Sequence, residues 1–105
     1  MDIIPPTTEQ GFLLHASDWN ETVAEQLACG CGIVLSLKHW ELIYFIRTYY
    51  QQFKHLPNMR VFIKAVANTF GADKGNSRYL HSLFPEAPLR DVCKIAGLPK
   101  PPTCL

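Results

Sequence analysis

The stretch Leu37-Lys-His-Trp-Glu-Leu-Ile-Tyr-Phe-Ile-Arg-Thr-Tyr-Tyr-Gln-Gln-Phe53 follows Ser36, a residue suited to capping a helix. Trp40, Ile43, Tyr44, Ile46, Tyr50 and Phe53 cover a wide apolar face, and Glu41, Thr48 and Gln52 leave a narrow polar stripe. A helix apolar around most of its circumference packs on several sides, so 37–53 is predicted to be a central helix. His39 and His55, at its two ends, read as surface or capping histidines rather than ligands.

Working upstream, Asp18-Trp-Asn-Glu21 has the spacing of a capping box, with Asp18 as N-cap. Trp19, Val23 and Leu27 then mark a short amphipathic helix stopping at Gly30. Cys29-Gly-Cys-Gly32 reads as a helix stop and turn. Residues 1–16, with two short apolar runs around Pro5-Pro6, suggest a small hairpin or an extended lead-in.

Downstream, Asn58 recaps the chain, and Met59, Phe62, Ile63, Val66 and Phe70 fall on one helical face, with Arg60, Lys64 and Asn68 opposite. Gly75-Asn-Ser77 starts a shorter helix carrying Tyr79, Leu80, Leu83 and Phe84. Pro88 suits the first position of a last helix, and Gly97 suits its C′ position. Residues 1–97 are thus expected to form a helical body, with a hairpin over about 1–16 and helices over about 18–96. Residues 98–105 form a C-terminal arm carrying a cysteine.

The 105 residues fit one domain, and a net charge of +1 indicates no global pull toward nucleic acid or membrane. The N-terminus lacks a basic and apolar leader, and no apolar run reaches the roughly 18 residues of a membrane span, so a cytoplasmic location is expected. Cys29, Cys31, Cys93 and Cys104 match no zinc-knuckle spacing; no metal or cofactor is expected, and thiol chemistry becomes the alternative to plain packing.

Helix, turn and helix over 59–84 invite a DNA-binding reading, with Arg60, Lys64, Lys74 and Arg78 toward phosphates. The near-neutral domain and the acidic Asp73 among those cations argue against direct nucleic-acid binding. Cys93 falls on the apolar stripe Leu89, Val92, Cys93, Ala96 and so reads as core. Arg90 and Lys94 beside it would favour a thiolate, so a reactive reading stays open.

Cys104 lies beyond three prolines on a stretch extending about 3.1 Å per residue where it is polyproline-like, with Lys100 along the way. A thiol there can be presented to another protein's site. The neighbouring α-carboxylate is expected to raise its pKa until it docks. If Gly97 bends the chain, Cys104 can also fold back on Cys93 as a labile disulfide.

At Lys38-His-Trp-Glu41, Lys74-Gly-Asn-Ser-Arg-Tyr-Leu80, Leu83-Phe-Pro85 and Lys94-Ile-Ala-Gly-Leu-Pro-Lys-Pro101, and at Cys104, the chain resembles the sulfur-relay family of DsrC and TusE. The DsrC members are also described as the gamma subunit of dissimilatory sulfite reductase. The resemblance implies a small α-helical body with an N-terminal β-hairpin and a mobile C-terminal arm; with the helix pattern of the residues, the expected fold is mainly α, a small orthogonal bundle of about five helices with a helix-turn-helix-like centre. It also implies a carrier that is a protein substrate, a sulfurtransferase-type component rather than a stand-alone catalyst.

In the family the penultimate cysteine carries sulfur as a persulfide, which falls on Cys104. TusE-type members receive it from a TusBCD-type complex and hand it to a tRNA thiouridylase for wobble 2-thiouridine. DsrC-type members pair it with a second cysteine, here Cys93, and work with dissimilatory sulfite reductase. Gly97, Pro99 and Lys100 of the arm, with Arg90, Lys94, Arg60, Lys64, Lys74 and Arg78, are the expected partner-docking residues. Two stretches depart from the DsrC pattern: Pro102-Thr103 stands where Thr-Gly is usual, and Glu86-Ala-Pro-Leu-Arg-Asp91 replaces a Gly-Pro-Ala-Lys-Gln type. Cys29 and Cys31 lie outside the family pattern and receive no role.

Overall fold

The structure, a computed structural model, describes residues 4–102. Among them are a 3-10 turn (Ala16–Asp18) and five α-helices: α1 (Glu21–Gly30), α2 (Leu37–Phe53), α3 (Met59–Phe70), α4 (Ser77–Leu83) and α5 (Pro88–Ile95). The mainly helical expectation is met, and so are the five helices. Their boundaries follow local chemistry. Asn58 and Asn76 cap α3 and α4 by accepting from Val61 N and Tyr79 N, each satisfying an otherwise orphaned N–H. Pro88 stands at the first turn of α5, where its missing N–H costs nothing.

The N-terminal β-hairpin is not formed among the described residues. What stands there is one antiparallel bridge, Thr7 to Leu13, around a turn closed by Thr8 N donating to Phe12 O at 2.7 Å. Pro5 and Pro6 offer no N–H, so the ladder cannot extend beyond Leu14 N donating to Pro6 O. Asp18 is not the N-cap of α1 either. It ends the 3-10 turn, and Asn20 caps the helix, accepting from Val23 N at 2.9 Å. Trp19 between them is extended, with its indole engaged with α5.

The core joins Phe12, Val23, Ala24, Leu27, Leu42, Ile43, Ile46, Phe62, Val66, Leu80, Phe84, Val92, Cys93 and Ile95 in one cluster. On α2 the buried stripe is His39, Leu42, Ile43 and Ile46; Tyr44 and Phe53 are about half exposed, at 45% and 48%. Aromatic residues at the edge of a stripe keep one face in water, so the apolar face is narrower than the count of aromatics indicates. The helix most surrounded is α5, on which α1, α2 and α4 all pack. Its buried residues include Leu89, Asp91, Val92, Cys93 and Ile95.

His39 proves to be a capping residue, and a buried one. Its Nδ1 accepts from Ser36 N at 3.0 Å, which leaves Nε2 protonated to donate to Leu83 O at 2.8 Å. One ring thereby ties the start of α2 to the end of α4. Lys74 Nζ reaches Glu41 Oε1 at 2.8 Å, so that cation braces the α3–α4 turn against α2. Asn76 adds bonds from its Nδ2 to Ala72 O and Asp73 O. The stretches 38–41 and 74–80 therefore build the scaffold.

Candidate functional site: Cys93 and the root of the arm

Cys93 sits in the last turn of α5 and is fully buried. Arg90 and Lys94 do not bias it toward thiolate. Burial pushes its thiol up to about 12, with no cation offsetting that cost. Arg90 instead turns its Nε to the buried Asp91 carboxylate at 3.1 Å, and Lys94 places its ammonium 5.5 Å from the Phe12 ring centroid. A thiol so placed is inert until it is uncovered.

The sign of its pH effect follows. The fold accepts the protonated thiol, so its contribution to stability is complete below the ordinary thiol pKa of about 8.5. That contribution is lost as pH rises from there toward about 12. Over this window the unfolded chain binds fewer protons, and stability falls by about 1.4 kcal/mol per pH unit from this group. Between about pH 9 and 11 the melting temperature of the wild type should fall more steeply than that of Cys93→Ala; parallel curves would contradict the burial of the thiol.

The end of α5 is a Schellman turn. Gly97 N donates to Lys94 O at 3.1 Å and Leu98 N donates to Cys93 O at 3.0 Å, with Gly97 at φ +73°. The first residue of the arm is thus bonded to the backbone of Cys93. Two side chains from elsewhere hold this turn. Trp19 Nε1 donates to Ile95 O at 2.8 Å, and Arg47 Nη1 donates to Ala96 O at 2.7 Å. The Arg47 guanidinium also stacks 3.8 Å from the Trp19 ring centroid. Tyr44 meets the same indole edge-on and donates to Glu21 Oε2 at 2.7 Å. Cationic and neutral donors at a helix C-terminus satisfy carbonyls that have no partner of their own.

Trp19 is expected from sequence only as an apolar position of the first helix, which it precedes, and Arg47 carries no expectation at all. An arginine within the apolar run Ile43–Tyr50 of α2 was the available hint. Its partner Ala96 O lies 49 residues away in the chain, which no local pattern encodes.

Beyond Gly97 the arm stays against the body: Leu98 and Pro101 are buried while Pro99 and Lys100 are exposed. Lys100, Pro101 and Pro102 line a groove of about 440 Å³ together with Met59, His81 and Arg90. Arg60 and Lys64 are exposed on α3 and Arg78 on α4, none of them lining this groove. Cys104 lies outside the described residues, and so does any pairing with Cys93. Cys29 is exposed in the last turn of α1, and half-buried Cys31 is its C-cap, its thiol raised by burial first and then by the Asp91 charge. Among the described residues no three His, Cys, Asp or Glu side chains gather as a metal site. No described helix is long and apolar enough to cross a membrane.

Fold and site together define a small helical body whose last helix buries one thiol and launches an arm toward another. The chain belongs to the family described as "DsrC like protein", which matches residues 4–105. It is 50% identical over 99 residues to the protein named "Sulfurtransferase TusE homolog" of Haemophilus influenzae, covering 94% of this chain and 91% of that one. The "Sulfurtransferase TusE" of Sodalis glossinidius is also 50% identical, over 94% of this chain and 92% of its own length. Among solved structures, DsrC of Allochromatium vinosum superposes with a TM-score of 0.84 at 43% identity, covering 92% of this chain and 87% of that one. The oxidized gamma-subunit of the dissimilatory sulfite reductase from Archaeoglobus fulgidus gives 0.81 at 35% identity, covering 96% and 92%. These likenesses lend no support to a helix-turn-helix regulator, and Lys74, one of its four proposed phosphate contacts, is committed to Glu41.

Proposed function

We propose that this chain is a cytoplasmic sulfur carrier in which Cys104 holds sulfane sulfur as a persulfide and Cys93 is the resolving thiol. The observation that carries the reading is the 50% identity, over nearly the whole chain, to proteins named sulfurtransferases. In the first step the Cys104 thiolate attacks the outer sulfur of a donor persulfide, forming the Cys104 persulfide and releasing the donor thiolate. The carrier then hands the outer sulfur to an acceptor protein. Alternatively, Cys93, once uncovered and deprotonated, attacks the inner sulfur on Cys104, giving a Cys93–Cys104 disulfide and hydrosulfide. The chain acts as a protein substrate of its donor and acceptor, docking through the arm and the cations Arg90 and Lys100 beside it.

Relay toward tRNA thiolation is the second reading, favoured because the relatives at about half identity carry the TusE name. A buried Cys93 is compatible with it, since relay needs one thiol. The test is to incubate the protein with a persulfide donor and map added sulfur by mass spectrometry. Wild type and Cys93→Ser should gain sulfur on Cys104, and Cys104→Ser should gain none there or elsewhere. Retention of sulfur by Cys104→Ser would remove the assignment. Adding a tRNA thiouridylase or a dissimilatory sulfite reductase to the loaded protein then separates the two readings by which one discharges it.

A further inference from the structure

Cys93 is enclosed, yet it stands in the last turn of its helix, where helices open most readily. Opening that turn requires breaking the Leu98 N to Cys93 O and Gly97 N to Lys94 O bonds. It also requires release of Ile95 O from Trp19 and of Ala96 O from Arg47. The last two donors come from the segment before α1 and from α2, so they act as an external clasp on a turn that is otherwise local. Gly97 sits directly beneath the Trp19 side chain, where even a Cβ would come within 2.4 Å of Cδ1. The indole, the guanidinium and the turn thus form one packed unit.

We propose that Trp19 and Arg47 are positioning residues that keep Cys93 covered, so that it reacts only after the root of the arm is released. The consequence for sulfur chemistry rests on the carrier reading above. Cys104 takes sulfur first while the clasp holds, and Cys93 joins when a partner pulling on the arm draws Gly97 and Leu98 out of the turn. The clasp thereby sets the order of the two thiols without touching either sulfur.

The test uses the full chain with Cys29→Ser and Cys31→Ser, alkylated by iodoacetamide at about pH 8, with the rate at each remaining cysteine read by mass spectrometry. Without further change, Cys93 should react at least about 100-fold more slowly than an unhindered thiol. Arg47→Met keeps an aliphatic stem over the indole but loses the donor, and Trp19→Phe keeps a ring without the N–H. Each should speed Cys93 about 10-fold while leaving Cys104 within about twofold. Val66→Ala serves as the control: a core cavity on α3, which is not one of the helices named above as packed on α5, and it should leave Cys93 within about twofold.

Unchanged Cys93 rates in the two clasp variants, both shown folded by a cooperative melt, would overturn the proposal. So would an equal acceleration in Val66→Ala, which would mean that only global unfolding exposes the thiol. Alkylation needs no sulfur transfer. If the persulfide experiment fails on Cys104, the carrier reading falls while the labelling rates still decide the clasp.

Discussion

Gly97→Ala is expected to destabilise the protein by roughly 2–5 kcal/mol, lowering its melting temperature by roughly 10–25 °C. Two costs add. A φ of +73° places any L-residue in the left-handed region, at about 1–2 kcal/mol relative to glycine. The new Cβ would also stand 2.4, 2.7 and 2.8 Å from Trp19 Cδ1, Cγ and Cβ. An unconstrained side chain would swing away, but this indole is held by its bond to Ile95 O and by Arg47 stacked on its ring. Relief must therefore come from the helix end, breaking the Schellman bonds to Lys94 O and Cys93 O. Urea unfolding measures the loss directly. A change under about 1 kcal/mol would show that the turn is not seated as described.

Gly75→Ala should cost roughly 3 kcal/mol for a different reason. Its φ is not in the positive region, so backbone strain plays no part. Space decides the outcome: a Cβ at Gly75 would lie 2.3 Å from the Cα, the Cβ and the backbone N of Ala67. Those atoms belong to the last turn of α3, and its backbone cannot rotate aside. The turn between α3 and α4 would have to lift, straining the Lys74–Glu41 bridge that ties it to α2. Because the Ala67 Cα and N remain in the way, the double variant Gly75→Ala/Ala67→Gly should recover little. Recovery of most of the lost stability would show that only the two methyl groups collide.

Both positions were visible in the sequence as glycines, but for unequal reasons. Gly97 followed an amphipathic run and so could be placed at C′ of the last helix, and the structure puts it there. Gly75 is legible in the sequence only as part of the start of a short helix, and the crossing of two backbones that demands it has no signature in one sequence. The same contrast runs through the helices. Period and caps placed α2 through α5 well, because Ser36, Asn58 and Pro88 announce their helix starts by local chemistry. Asp18 misled because a capping-box spacing is also satisfied by a chain that first makes a 3-10 turn to send Trp19 toward α5. The expected hairpin ignored how little hydrogen bonding Pro5 and Pro6 allow.

For the site, charge proximity along the chain was the weaker guide. Arg90 at i−3 and Lys94 at i+1 suggested an activated Cys93, yet burial dominates, and Arg90 answers Asp91. Residue types and spacing by themselves determined the helical class, the terminal turn at Gly97, the two-thiol tail and the likeness to a sulfur-relay family, since each rests on nearest neighbours or a contiguous motif. Only the tertiary structure decided that α5 is the enclosed helix, that Cys93 is covered, and that Trp19 and Arg47 close over the root of the arm. Those facts depend on contacts between residues 76 and 49 positions apart, where a hydrogen bond to a helix-end carbonyl is made by whichever side chain the packing brings there.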